Sequence, residues 1–181
     1  MVQHAGSLTN CKYADIRLGI HETKHANAED GKAKGMGEDA SISFGIRVLA
    51  GEMSAWGYYG QSLGKGESNP KSIHKILTLG INKAYARAAA NASKKAEFKS
   101  LAPSLTAVNL ARIDSCNDTV NAVFDENPRN VSLKEILTLC KKISRDMRGV
   151  SKDVQYAYVD VQTGINRELF CSTEGSCIDQ S

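Results

Sequence analysis

Between Ala40 and Val48 every second residue is apolar: Ala40, Ile42, Phe44, Ile46 and Val48 alternate with Ser41, Ser43, Gly45 and Arg47. Period-two patterning fits a strand with one face in a core and the other in water. On a helix the same residues would be scattered around the circumference. The pattern also occurs upstream, where Ala14, Ile16, Leu18 and Ile20 alternate with Asp15, Arg17, Gly19 and His21. Two such segments so close together commit the N-terminal part of the chain to an antiparallel sheet.

The upstream segment runs directly into His21-Glu22-Thr23-Lys24-His25, which reads HExxH. On a helix this spacing stacks two imidazoles one turn apart, ready for zinc, with the glutamate as general base on the metal-bound water. That reading needs a helix over 18–28 and a third ligand, for which His74, Glu29 and Asp30 are candidates. The flanks argue for a strand instead. Four strand residues span about 13 Å at roughly 3.3 Å each, whereas zinc–nitrogen bonds are about 2.0–2.1 Å. His21 and His25 would then share a face but not an ion, and Glu22 would point to the opposite face. The expectation is a polar row on a strand, closed by a hairpin turn at Glu29-Asp30-Gly31, since glycine tolerates positive φ.

The sequence predicts a first strand to about Ala28 and a short one over 32–36. A turn at Gly37-Glu38-Asp39, the strand from Ala40, a turn at Gly51-Glu52 and a return strand over Met53–Tyr59 follow. Gly57 within that return strand marks a bulge or a close backbone approach, and Trp56 and Tyr58 fall on one face. Residues 61–70 read as a flexible connection. Gly64-Lys65-Gly66 lacks the GxxxxGK[ST] spacing of a phosphate loop. A long helix is expected over Lys71–Lys95, where Ile73, Ile76, Leu77, Gly80, Ile81, Ala84 and Ala88 keep helical spacing. A short extended piece is placed at Val120–Phe124. A second helix starts at the Ser132/Glu135 capping box, carries Cys140 on its apolar face and ends with Gly149 as C-cap. Val154–Val161, a turn at Gln162-Thr163-Gly164, Ile165–Cys171, a turn at Ser172–Gly175 and a strand from Ser176 complete the chain. Its end in mid-strand suggests a fragment of a longer protein.

The chain has 181 residues and a net charge of +3, too small a charge to argue for nucleic acid. Lys94, Lys95, Lys99, Lys141 and Lys142 read as solvated helix faces. No stretch approaches the roughly 18–20 apolar residues that span a bilayer, and the first ten residues lack the apolar core of a signal peptide. The five cysteines have no CxxC spacing. Cys171 and Cys177 can meet across a turn, although a cytosolic chain keeps such pairs reduced. The reading is a cytoplasmic protein with free thiols.

Several phrases carry a resemblance. Tyr13-Ala14-Asp15-Ile16-Arg17 opens the first strand, Gly45-Ile46-Arg47-Val48-Leu49-Ala50-Gly51 closes the third, Ala55-Trp56-Gly57-Tyr58-Tyr59 follows the tight turn, and Ser172-Thr173-Glu174-Gly175 stands near the end. Together they resemble the N-terminal domain of the TldD/PmbA family, once called modulators of DNA gyrase, over most of the chain from Tyr13 onward. The elements read along the chain make a single α+β domain over 1–181, which the resemblance places at the N-terminus of a longer protein. It would be an antiparallel meander sheet with two main helices packed on it, followed by a second hairpin segment. Within the family such a domain belongs to a longer peptide-processing metalloprotease that works as a homodimer or heterodimer on unfolded peptides.

In active members zinc sits on a later helix with an HExxxH motif, in the C-terminal domain. That motif does not occur here, and HETKH aligns to a strand. No catalytic, cofactor-binding or metal-ligating residue is therefore assigned, and no cofactor is expected in this chain. The segment before Tyr13 is short where relatives carry a helix, which leaves the packing of one sheet face open. The function expected is a non-catalytic domain supporting dimer assembly and the substrate cavity, with no nucleic-acid or membrane partner. The alternatives are a small zinc peptidase using HETKH, and an interaction module with Trp56, Tyr58 and Tyr59 as its contact patch.

Overall fold

The computed structural model describes residues 2–181. A short helix α1 (Val2–Gly6) precedes three strands, β1 (Cys11–Glu29), β2 (Lys32–Ala50) and β3 (Ala55–Leu63). A long helix α2 (Pro70–Phe98), a short strand β4 (Asn117–Val120), a helix α3 (Leu133–Gly149) and the strands β5 (Tyr158–Ser172) and β6 (Cys177–Gln180) follow. The strands form one six-stranded sheet in the order β3-β2-β1-β5-β6-β4. The pair β4–β6 is parallel, while β2–β3 and β5–β6 are antiparallel. The architecture is α+β, and the C-terminal hairpin belongs to the same sheet as the meander. Asp30 and Gly31, with φ of 49° and 78°, form the two-residue turn between β1 and β2, the left-handed pair that a twisted hairpin requires.

The contacts group into two compact units. One holds the chain up to Gly19 with Ile42–Asn121 and Arg167–Ser181. The other holds Ile20–Ser41 and Ala122–Asn166.

In the first unit the even residues of β1 and β2 form the core. Ala14, Ile16, Phe44, Ile46, Val48 and Ala50 meet Leu77, Ile81, Ala84 and Ala88 of α2. Burial of a side chain the size of Ile46 or Ile81 contributes about 1.5–3 kcal/mol. Asn69 caps α2 by accepting from Ser72 N at 2.9 Å, with Pro70 at the first helical position. The small residues of α2 let the helix come close to the sheet. A Cβ on Gly57 would lie 2.0 Å from Ala84 O and 2.5 Å from Ala88 N, so Gly57 marks a close approach, as its place in the strand suggests. The N-terminal segment does form a helix: Ala5 of α1 is buried in this core, with Val2 packed against it.

In the second unit α3 begins with the capping box read from the sequence. Ser132 Oγ accepts from Glu135 N at 3.2 Å, and Glu135 Oε2 accepts from Ser132 N at 2.7 Å. The bonds that the Glu135 carboxylate accepts from Ser132 N and from Ser132 Oγ hold it below its ordinary pKa. Ile136 and Cys140 pack on Ala26 and Ala28 of β1, and Cys140 Sγ donates to Ala26 O at 3.1 Å. Cys140 is core, as its helical position predicts.

Four local expectations fail, two of them for the same reason. The turn expected at Gly37–Asp39 is absent, because β2 runs unbroken through it. The turn expected at Gln162–Gly164 is absent too, because β5 is continuous and starts only at Tyr158. Both glycines are there for space. A Cβ on Gly37 would meet His25 Cε1 at 2.8 Å, and one on Gly164 would meet Glu22 O at 2.8 Å. Gly149 is not a left-handed C-cap: the helix continues to it, and Val150 caps in right-handed conformation (φ −65°). The guanidinium of Arg148 donates to the Val154 carbonyl and holds the outgoing chain. The short extended piece lies at Asn117–Val120 rather than 120–124, placed by parallel pairing with β6 that sets Asn117 opposite Cys177.

Two smaller differences remain. β3 runs on to Leu63, and a 3-10 turn at Lys65–Glu67 follows, so the connection is shorter than expected. Cys171 and Cys177 are paired in a disulfide rather than free. The β5–β6 register sets them directly opposite with Cα atoms 4.3 Å apart, meeting across the turn as their spacing allows. Gly175 (φ 93°) makes the turn between them.

Candidate functional site

HETKH lies inside β1, so the helix that a two-histidine zinc site needs over 18–28 is a strand. His21 Nδ1 lies 2.9 Å from Asn166 Oδ1, and the His25 ring lies across Gly37. On the other face Glu22 takes a two-pronged ion pair from Arg129, at 2.7 and 2.9 Å. That hydrogen bonding holds its carboxyl below the usual range. Lys24 Nζ donates to the carbonyls of Arg129 (2.9 Å) and Val131 (2.8 Å). Glu22 and Lys24 thus tether the segment that leads into α3. Of the candidate third ligands, His74 lies on α2 in the first unit. Glu29 pairs with Lys34 at 3.3 Å, and Asp30 accepts from Ala157 N at 2.9 Å. Among the described residues no three His, Cys, Asp or Glu side chains gather as a metal-binding group.

A dense polar arrangement lies in the first unit, on the odd-numbered face of β1. Asp15 is fully buried, and its carboxylate receives Arg47 Nε at 3.1 and 2.9 Å and Nη2 at 2.6 Å. The guanidinium lies 5.7 Å from the centre of the Trp56 ring. Trp56 makes an edge contact with Tyr13 at 5.9 Å and stacks on Tyr58 at 6.2 Å. The β2–β3 register, with Arg47 opposite Tyr58 and Leu49 opposite Trp56, brings these side chains together. Beside them Arg17 lies 5.2 Å from the Phe170 ring centre and pairs with Glu168 at 3.3 Å. Tyr58 is exposed. Tyr59 packs on the α2 side, under Lys83 at 4.7 Å and Arg87 at 5.7 Å, so it does not belong to the contact patch expected with Trp56 and Tyr58.

The turn at Ser172–Gly175 docks against this cluster. Thr173 Oγ1 accepts from Ala14 N at 3.0 Å, and Thr173 N donates to Ala14 O at 2.9 Å. A cleft of about 670 Å³ opens beside it, lined by Lys12, Leu49, Arg112, Ile113, Asp114 and Glu174. Its lining carries two acids, Asp114 and Glu174, and two bases, Lys12 and Arg112. The sequence reading missed the Asp15–Arg47 pair. Its one signal was two opposite charges on the polar faces of adjacent strands, and only the register shows that they meet.

Burial and the Asp15 carboxylate push the Tyr13 phenol up to about 12. A raised folded-state value means that Tyr13 contributes stability fully present below pH 10 and lost as pH rises through about 12. Phenolate absorbance should show one tyrosine ionising near 12, and Tyr13→Phe should remove that step.

No protein-family model matches the sequence, and no curated protein matches it either. Solved structures do match. A Thermotoga maritima protein described as a candidate modulator of DNA gyrase superposes with a TM-score of 0.60 at 11% identity, over 92% of this chain and 32% of its own. A Bacteroides thetaiotaomicron protein of the same description gives 0.57 at 10%, over 98% and 36%. TldE from Thermococcus kodakarensis gives 0.60 at 12%, over 99% and 35%.

The fold is that of the TldD/PmbA family. The resemblance drawn from the strand phrases is borne out at the level of the fold. This chain spans about a third of the length of each TldD/PmbA-fold structure it matches. Among the described residues no helix is long and apolar enough to cross a membrane.

Proposed function

We propose that this chain is a non-catalytic domain of a TldD/PmbA-like peptide-processing protein, corresponding to the N-terminal domain of the family. In this reading it supports dimer assembly, as a homodimer or with a related partner, and walls the cavity that holds an extended peptide. It works in the cytoplasm without nucleic-acid or membrane partners, and the zinc belongs to another domain. The observation that carries the proposal is the fold likeness, which takes in nearly all of this chain but only about a third of the matched chains. The HETKH strand supports the non-catalytic part, because its glutamate is engaged by Arg129 rather than left free as a base.

The test combines sedimentation velocity on the purified chain with chromatography of an unstructured peptide incubated with it and zinc. A dimer that leaves the peptide intact is expected. EDTA-sensitive cleavage would overturn the non-catalytic assignment, and a monomer at every concentration would overturn the assembly role.

One observation favours a second reading, a protein-interaction module. Tyr58 is exposed and stacked on Trp56, on the strand face away from α2. Tyr58→Ala would then abolish partner binding without changing stability.

A further inference from the structure

Among the described residues the sheet ends at β3, whose one neighbour is β2. Its nine residues, Ala55–Leu63, contain no charge and no proline, and include Trp56, Tyr58 and Tyr59. An exposed edge strand with that composition is a template for pairing with another chain. Charges, prolines and short length are the usual protections, and this strand has none of them.

The protection comes from α2. Arg87 Nη1 donates to Tyr58 O at 2.6 Å, Asn91 Nδ2 to Trp56 O at 3.0 Å, and Lys95 Nζ to Ser54 O at 3.3 Å. The donors recur every four residues on the helix, and the acceptors every two residues in the opposite chain direction, Tyr58 and Trp56 on β3 and Ser54 in the turn just before it. Four helical residues advance about 6.0 Å, and two strand residues about 6.6 Å. The two repeats nearly coincide, so one row of helix side chains meets successive carbonyls on one side of the strand. The Gly57 close approach brings the helix axis near enough for these side chains to reach.

We propose that this three-rung ladder closes the β3 edge to strand addition, and that without it two copies of the chain pair through β3. The occupant is a second copy because the strand is uncharged and aromatic, so identical edges meet without repulsion, and a two-fold axis pairs them antiparallel. The dimer contact proposed above then lies elsewhere than on β3, and this inference does not depend on it.

The test is the triple variant R87A/N91A/K95A, compared in sedimentation velocity with the wild-type chain and with K75A/K94A. The control removes the same charge from exposed positions of the same helix. Self-association beyond the wild-type state should strengthen by about tenfold or more in the triple variant only, and adding Tyr58→Lys, which puts a charge on β3, should reverse it. Should the triple variant not fold, N91A alone carries the test, with association expected to rise about threefold. The inference is overturned by a folded triple variant, or in its place a folded N91A, that associates no more than the wild-type chain. A control that associates equally overturns it as well.

Discussion

Arg47→Met lowers the stability of the chain by about 3–5 kcal/mol in urea unfolding followed by circular dichroism, the cost of leaving a buried charge without its partner. Asp15→Asn costs less, about 1–2 kcal/mol, the worth of hydrogen bonds to a charged group. The asymmetry follows from exposure. The Asp15 side chain is 1% exposed and the Arg47 side chain 44%. Without arginine the carboxylate has nowhere to go, whereas without aspartate the guanidinium keeps water and the Trp56 ring. Equal effects of the two substitutions would contradict the geometry. A double variant, Asp15→Leu with Arg47→Met, recovers much of the loss, because a buried pair replaced by apolar groups is often neutral.

Gly57→Ala destabilises by at least about 3 kcal/mol, the upper end of overpacking. The added carbon would lie 2.0 Å from Ala84 O and 2.5 Å from Ala88 N. Both are backbone atoms, so no rotamer change relieves the clash, and α2 has to move off the sheet. Gly45→Ala is the internal control. It lies in the neighbouring strand with nothing within 4 Å of its Cβ position, and its replacement should change stability by less than about 0.5 kcal/mol, the range of an open surface site. Thermal unfolding of the two variants side by side reads the difference.

These two sites also mark how far the sequence could be read. Alternation at 14–18 and 44–48 was legible because one face of each segment packs against α2, and burial is what writes period two into a strand. The cap at Ser132 was legible because its chemistry is local: donor and acceptor lie three residues apart. Gly37 and Gly164 were misread as turns because a glycine that makes room for a neighbour looks, in one dimension, like a glycine that permits a bend. What decides between them is the residue across the strand, His25 for Gly37 and Glu22 for Gly164.

Register hid the rest. The Asp15–Arg47 pair and the ladder from α2 to β3 depend on which residues stand opposite one another, and no local spacing reports that. HETKH is the converse case: its letters suggested a site, and the period of its flanks contradicted it.

His21–His25 lies in a strand and is therefore not a metal helix. Backbone Cα and Cβ chemical shifts of residues 18–28, recorded with and without zinc, test it most directly. Extended-strand shifts throughout, unchanged by the metal, are expected. Helical shifts over this segment, or shifts that move at His21 and His25 together with one equivalent of zinc, would contradict it.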